Sequence, residues 1–341
     1  REHDMEPGGP DPETTDQVML KRHRVSRIYW NRRFFDYPIS LSVNTFKAMG
    51  FKLTMVAGFS YLKSMFHKLP ETSLENFYIN RFGRKLYSMF FELTEKLWGR
   101  HPSQISADWG AQRVKGLSIL GVLKNAFRKL SPKKRKGEVE TSLIEEFWYP
   151  KLGPGQLWET VERRCVDAGA TVITEQVVEI RQAQGRIESV VYESSDGKRT
   201  ELHADQFISS MPVKDLVNAI DAASHDDDAE RFAPVPQDMT HIGHALPYRD
   251  FVTVGLLVKH MRLKNTTDIP TLGNPPIVPD CWIYVQDPGY KVGFQIFNNW
   301  SPYLVKDVDD TVWIGLEYFC NEGDDFWNMT DAEATKFAIS E

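Results

Sequence analysis

The sequence predicts an α/β fold, and three features along the chain support this prediction. Hydrophobic residues recur at helical spacing over much of residues 42–137. A glycine-bounded helix followed by short strands occupies residues 153–212, and the last third consists of strand-like runs separated by turns. Because 341 residues exceed what one hydrophobic core usually holds, we expect two or three domains.

The first segment, residues 1–42, is predicted to be a loop followed by a hairpin. Proline, glycine and acidic residues dominate positions 1–17, which is typical of a loop or a frayed end. Strand-forming residues at 25–30 and 33–37 flank a short polar turn. This pattern favours a β-hairpin.

The second segment, residues 43–138, is predicted to be helical. Ser73 is a suitable N-cap because its hydroxyl can accept a hydrogen bond from a backbone N–H of the first turn. Residues 81–98 carry apolar side chains on one helical face, and Gly99 is placed to end that helix. A further helix is predicted over residues 115–130.

The third segment, residues 139–215, is predicted to be α/β, and the fourth, residues 216–341, largely antiparallel sheet. In the third, a helix ending at Gly169 precedes a strand at 170–174, a three-stranded meander and an apolar strand at 205–210. The fourth ends in a helix, and its strands are predicted at residues 251–258, 281–286, 291–297 and 312–319.

Composition and motifs argue against several classes of protein. The net charge of −6 disfavours a nucleic-acid-binding domain, which would usually be basic. The longest largely apolar run has about eight residues, whereas a membrane-spanning helix needs about 20. The three cysteines are far apart, so neither a disulfide framework nor a zinc site is expected, and a cytoplasmic location fits. The motifs of P-loop NTPases, serine hydrolases and zinc proteases are missing, and no metal site is predicted.

A composite pattern runs through residues 153–212. It joins Gly153-x-Gly155 and its helix to the meander, and then to a strand ending in a small-residue–proline turn. This pattern resembles the second segment of the FAD-binding domain in the amine oxidase and protoporphyrinogen oxidase superfamily. Residues 79–99 look like the helical region of UDP-galactopyranose mutase, and residues 106–113 and 140–147 resemble related bacterial flavoproteins labelled protoporphyrinogen-oxidase-like.

The resemblance implies an incomplete FAD/NAD(P)-binding domain of the glutathione-reductase-like type, with a helical cap and an antiparallel substrate-domain sheet. It implies that the backbone of Val177 meets the adenine of FAD, because adenine edges pair well with main-chain groups. Glycines let the backbone approach a cofactor closely. The cofactor-binding residues that it implies are Gly153, Gly155, Val177, Ser210, Met211 and Pro212. Trp98 and Arg113 are the predicted lining of the substrate pocket.

The implied function is that of an FAD-dependent oxidoreductase, in which a small-molecule substrate passes a hydride to the flavin. Because the flavin carries this chemistry, we assign no catalytic acid or base. Three alternatives stay open: a flavin-dependent sugar-nucleotide mutase, a redox-inert binding protein, and a membrane-associated oxidase that uses residues 46–66 as an amphipathic surface anchor. The prediction includes a homodimer among the assemblies but does not fix the oligomeric state.

Two departures from the superfamily pattern accompany this interpretation. The G-x-G-x-x-G loop and the ribose-binding acid do not occur in the sequence, so we expect them upstream of residue 1 and expect this chain alone to bind FAD weakly. Phe294 follows Gly293 where relatives often have arginine. This substitution weakens the case for an anionic substrate.

Overall fold

A computed structural model describes residues 8–37, 43–90, 93–113, 146–224, 232, 234–287 and 289–341. The predicted helix at 115–130 lies outside the described residues. Contacts within the chain separate two compact units. One unit comprises Arg1–Glu159 and Arg249–Glu341, and the other comprises Thr160–Tyr248.

The secondary structure elements follow one another along the chain in both units. The strands are β1 (Met19–His23), β2 (Ser26–Trp30), β3 (Arg33–Asp36), β4 (Glu146–Pro150), β5 (Gln176–Ala183), β6 (Arg186–Glu193), β7 (Arg199–His203), β8 (Asp250–Val258), β9 (Trp282–Val285), β10 (Val292–Ile296) and β11 (Val312–Cys320). The helices are α1 (Val43–Phe66), α2 (Leu74–Phe82), α3 (Arg84–Phe90), α4 (Leu93–Trp98), α5 (Ala107–Arg113), α6 (Pro154–Asp167), α7 (Val213–Ala223), α8 (Gln237–Ala245), α9 (Phe297–Trp300) and α10 (Asp331–Ser340).

A six-stranded sheet in the order β3-β2-β9-β10-β11-β8 forms the centre of the first unit. All of its strand pairs are antiparallel except β2 with β9, which is parallel. The predicted N-terminal hairpin is confirmed, and its two strands are one edge of this sheet. Strands β1 and β4 form a separate two-stranded sheet that the sequence did not predict, because neither strand shows a clear alternation of apolar and polar residues.

Helices α1 and α3 pack beside the hairpin edge of this sheet, and α2 packs on both of them and on α5. Ile28 and Phe35 of the hairpin share a core with Met49, Ala57 and Met89 of the helices. Apolar burial between the two layers is therefore what holds the hairpin and the helices together.

Two glycines interrupt the helical region, and Ser73 caps one helix as predicted. The hydroxyl of Ser73 accepts a hydrogen bond from the N–H of Asn76 at 3.3 Å. Gly50 breaks the regular backbone of α1 with φ of +73°. The prediction of a continuous helix over 81–98 is wrong, because Gly83 adopts φ of +82° between α2 and α3.

The second unit contains the meander β5-β6-β7, confirmed as a three-stranded antiparallel sheet. Helix α7 packs against β5 and α8 against α7. The strands predicted at 170–174 and 205–210 are wrong: neither segment forms a strand. A strand needs a neighbour to satisfy its backbone groups, and no strand among the described residues runs beside either segment. Their apolar side chains are exposed, Ile208 at 98%.

Candidate functional site

The glycine pair predicted to meet a cofactor lies where β4 turns into α6. Gly153 has φ of +96°, a conformation that glycine adopts without strain, and its N–H donates to Pro150 O at 3.0 Å. A β-carbon at Gly153 would come within 3.8 Å of the Tyr149 hydroxyl. Gly155 stands in the first turn of α6, and nothing lies within 4 Å of the place where its β-carbon would be. Gly153 is therefore buried, whereas Gly155 leaves its backbone accessible in the first turn of α6.

Val177 lies at the start of β5, which is an edge strand of the three-stranded sheet. It pairs with Tyr192 on β6, and the register shifts directly after it, between Val177 and Glu179. No other strand in the described part of the chain pairs with the outer edge of β5. An edge strand beside a bulge has main-chain groups that can pair with a ligand.

The residues Ser210, Met211 and Pro212 form a turn that leads into α7. The Met211 N–H donates to the Ser209 hydroxyl at 3.3 Å, and Pro212 is the N-cap residue of α7. Pro212 makes no capping hydrogen bond, and the Tyr248 hydroxyl accepts one from the Lys214 N–H in the first turn at 3.2 Å. Gly153 and Gly155 belong to the first unit, whereas Val177 and this turn belong to the second.

Trp98 and Arg113, the predicted pocket residues, end α4 and α5. The Trp98 ring contacts Trp109 edge-on at 4.9 Å, and the residue is 38% exposed. Trp98 is therefore half-buried against α5. Of Arg113 the structure describes the backbone alone.

The partial exposure of Trp98 leads to a stability prediction. Trp98→Ala should lower the free energy of unfolding by about 1–2 kcal/mol, less than the roughly 3–5 kcal/mol of a fully buried tryptophan. Urea denaturation followed by circular dichroism measures this. A loss of about 4 kcal/mol would mean that Trp98 is a core residue and unsuited to a pocket.

One side of the six-stranded sheet carries a set of residues that the sequence analysis did not single out. Because directly paired residues share one face of a sheet, the register places Thr253, Glu317, Gly293 and Tyr284 in one row across four strands. Gly255 and Gly315 pair in the neighbouring row. We call this side the open face. On β8 its residues are exposed, including Phe251 at 58% and Leu257 at 70%.

On the open face, strands β9, β10 and β11 carry tyrosine, tryptophan, glutamine and glycine residues. Glu317 is the carboxylic acid among them. The residue is 6% exposed, and Gln295 Nε2 donates a hydrogen bond to Glu317 Oε1. Opposite it, Gly293 has no side chain, and a β-carbon there would lie 3.6 Å from Glu317 Oε2. Burial raises the pKa of Glu317 to about 7. Among the described residues no ion pair involves it.

A row of aromatic rings leads across the same face. Trp282 stacks on Tyr284 with ring centres 5.8 Å apart, and Tyr37 lies 4.7 Å from Tyr284 on the other side. The row continues through Trp300 to Tyr149. Burial, and after it the neighbouring Tyr37, raises the pKa of Tyr284 to about 12. Flat apolar walls with a few fixed polar groups are the usual make-up of a small-molecule site.

A signal for this site exists in the sequence. The β11 stretch VWIGLEYFC is apolar except for one glutamate, and an acid within a buried strand is uncommon. What the sequence could not supply was the register, which brings Glu317 opposite Gly293 and Tyr284.

The described residues contain neither a candidate metal site nor a helix that could span a membrane. No group of three or more histidine, cysteine, aspartate or glutamate side chains there could hold a metal ion. The His244 imidazole is instead within hydrogen-bonding distance of Asn218, with Nε2 2.6 Å from the side-chain oxygen. None of the described helices has both the length and the apolar character needed to cross a bilayer.

Comparison with known proteins found similarity in structure. No protein-family model matches the chain. No curated protein sequence matches it either. The structure of reduced UDP-galactopyranose mutase superposes with a TM-score of 0.66 at 16% identity, over 90% of this chain and 59% of that protein. A putative protoporphyrinogen oxidase from Exiguobacterium sp. 255-15 gives 0.55 at 12% identity, over 94% and 63%. The PF1083 protein from Pyrococcus furiosus gives 0.52 at 14% identity, over 95% and 64%.

The chain thus spans about three fifths of the length of these proteins. Identities of this size establish a shared fold. The resemblance indicated by the sequence is therefore confirmed in three dimensions: this chain has the fold of UDP-galactopyranose mutase and of a putative protoporphyrinogen oxidase.

Proposed function

We propose that this chain is the substrate-binding part, with the second FAD-binding segment, of an FAD-dependent oxidoreductase. The observation that carries the proposal is the fold shared with UDP-galactopyranose mutase and a putative protoporphyrinogen oxidase over nine tenths of the chain. In this proposal residues 43–138 are the cap, residues 139–215 the second segment of the FAD-binding domain, and residues 216–341 the substrate domain.

The local geometry of the predicted cofactor residues fits FAD. Gly155 leaves an exposed backbone at the N-terminus of α6, and the N-cap residue of α7, Pro212, makes no side-chain hydrogen bond to its helix. Helix N-termini favour anionic groups such as a pyrophosphate. Val177 would offer its main chain to the adenine from an edge strand. The bound flavin would accept the hydride of the substrate.

The residues of the open face would bind and orient the substrate. The rings of Trp282 and Tyr284 offer a flat apolar surface that excludes water from one side of a ligand. Glu317 titrates near neutral pH, so its carboxyl group could hold a proton or a negative charge next to the ligand. These residues supply position and charge, while the redox step belongs to the cofactor.

The mutase alternative is favoured by the TM-score of 0.66 but not by the charge of the open face. A sugar nucleotide brings a diphosphate, which cationic side chains usually bind. The ionisable group in the middle of the face is the acid Glu317. Oxidation of a substrate without a diphosphate therefore agrees better with the geometry.

The proposal predicts how two changes at Val177 affect FAD affinity. Val177→Ala keeps the backbone N–H and should change the dissociation constant by less than about threefold. Val177→Pro removes the N–H and should weaken FAD binding by about tenfold or more. Calorimetric titration of FAD into the complete flavoprotein, of which this chain is proposed to be a part, measures the dissociation constants of both variants.

A matched control separates this contact from general damage to the sheet. Thr200 lies on β7, the opposite edge of the same meander. Thr200→Pro introduces the same backbone lesion and should leave FAD affinity within about threefold. Equal losses for Val177→Pro and Thr200→Pro would argue against a main-chain contact at Val177, and absence of FAD binding to the protein would overturn the proposed function.

A further inference from the structure

We propose that Glu317 is the residue that sets the charge specificity of the open face, so that this face rejects anionic ligands and accepts neutral or cationic ones. The proposal rests on the proposed function in one respect, namely that the open face is where substrate binds. It goes further by naming one specificity-determining residue and the ligand class that this residue excludes.

The position of Glu317 is the first reason. It lies on β11, directly opposite Gly293 of β10, which is opposite Tyr284 of β9. Since Gly293 has no side chain, the Glu317 side chain lies over that strand, with Oε2 3.6 Å from the place where a β-carbon of Gly293 would be. A ligand lying along the aromatic row therefore meets Glu317 Oε2 without a side chain of β10 between them.

The absence of a compensating cation is the second reason. Gln295 holds one carboxylate oxygen through a neutral amide donor, which fixes the carboxyl group but leaves its charge in place. Among the described residues, no lysine, arginine or histidine forms an ion pair with Glu317. A charge in such a poorly solvated position acts strongly on a neighbouring ligand charge.

The cations nearest to this site on the neighbouring elements have other partners. Lys96 Nζ of α4 donates to the carbonyls of Val285, at 3.2 Å, and of Tyr290, at 2.5 Å. Arg24, before β2, lies 6.0 Å from the Tyr37 ring centre and acts electrostatically on Tyr284, as Glu317 also does. Among the described residues neither Lys96 nor Arg24 forms an ion pair with Glu317, so no direct contact neutralises the charge of the ionised carboxylate.

The test uses three small probes that share a phenyl ring and differ in charge: 2-phenylethylamine, 2-phenylethanol and phenylacetate. Trp282 and Trp300 lie in the row, so intrinsic tryptophan fluorescence reports binding without any flavin or turnover. At pH 8.5 we expect the amine to bind at least about tenfold more tightly than phenylacetate, which corresponds to about 1.4 kcal/mol. The alcohol should fall between them.

Glu317→Gln should reduce the amine-to-phenylacetate ratio to within about threefold. Glutamine has nearly the same shape and no charge, and burial already favours the neutral carboxyl form, so this variant should fold. Glu322→Gln is the matched control, because it removes one exposed charge just beyond the same strand and should leave the ratio unchanged. Gly293→Ala should weaken binding of the amine by adding a methyl group 3.6 Å from Oε2.

The pH dependence gives an independent check. Because the pKa of Glu317 lies at about 7, raising the pH from 6 to 8.5 ionises its carboxyl group. The preference for the amine should therefore grow over this range in the wild type and stay flat in Glu317→Gln. Tyr284 titrates above this range, since burial raises its pKa to about 12. Burial lowers the pKa of Lys96, and the flat profile expected of Glu317→Gln separates any contribution of Lys96 from that of Glu317.

Several outcomes would overturn the proposal. These are equal binding of amine and phenylacetate by the wild type, a ratio unchanged by Glu317→Gln, or no binding of any of the three probes at millimolar concentration. None of these bears on FAD, which is titrated separately and should bind Glu317→Gln and the wild type equally. Failure of charge selection with normal FAD binding, or the reverse, thus separates this proposal from the proposed function.

Discussion

Arg27→Met should lower the free energy of unfolding by about 3–5 kcal/mol, because it leaves a buried carboxylate without its partner. The Arg27 side chain is 9% exposed and that of Asp280 is 0% exposed. The guanidinium donates two hydrogen bonds to the two carboxylate oxygens, at 2.8 and 2.5 Å. Its face also lies 4.2 Å from the ring centre of Phe34. Urea denaturation followed by tryptophan fluorescence measures the loss.

Two controls identify the buried unpaired charge as the cause. Burial raises the pKa of Asp280 even though Arg27 lies beside it, which shows how unfavourable this carboxylate is in its buried position. The double variant Arg27→Met with Asp280→Leu should therefore recover much of the loss. Lys21→Met breaks the exposed pair with Glu146 at 3.1 Å and should cost at most about 1 kcal/mol. Similar losses for Arg27→Met and Lys21→Met would contradict the argument.

The pair also shows why part of the fold could be predicted and part could not. Arg27 and Asp280 are 253 residues apart in sequence. Local patterns predicted the hairpin, the meander and the Ser73 cap, because each depends on residues close together in the chain. The parallel pairing of β2 with β9 depends on a long-range contact that no local pattern contains.

Errors in the sequence interpretation have a related origin. Residues 170–174 and 205–210 have the composition of strands, yet a strand exists only where another strand pairs with it. The prediction that Trp98 and Arg113 line the pocket stays a prediction, and the sequence analysis did not single out Glu317 on β11, whose pKa is raised by burial to about 7. Which side chains lie near Glu317 depends on the register of the strands. A shift of the register by one residue would move Glu317 to the other face of the sheet.

Gly83 provides the second large effect, and it tests how helices α1, α2 and α3 pack. Gly83→Ala should lower the free energy of unfolding by about 2–5 kcal/mol. A β-carbon at Gly83 would come within 2.7 Å of the Tyr61 backbone nitrogen and 2.9 Å of the Ser60 carbonyl carbon. Backbone atoms cannot rotate aside as a side chain does, so α1 and the α2–α3 turn must separate. The φ of +82° adds roughly 1–2 kcal/mol of strain to an overpacking cost of about 1–3 kcal/mol.

Gly58→Ala is the matched control, because Gly58 belongs to α1, the helix that Gly83 contacts. Gly58 lies inside α1, and nothing is within 4 Å of its β-carbon position. Alanine should therefore stabilise the helix there by about 0.5–1 kcal/mol. The two substitutions add the same methyl group and differ in what it meets, so opposite signs are expected in urea denaturation. If Gly83→Ala proved neutral or stabilising, the close approach of α1 to the α2–α3 turn would be wrong, and with it the packing of the cap against the hairpin edge of the sheet.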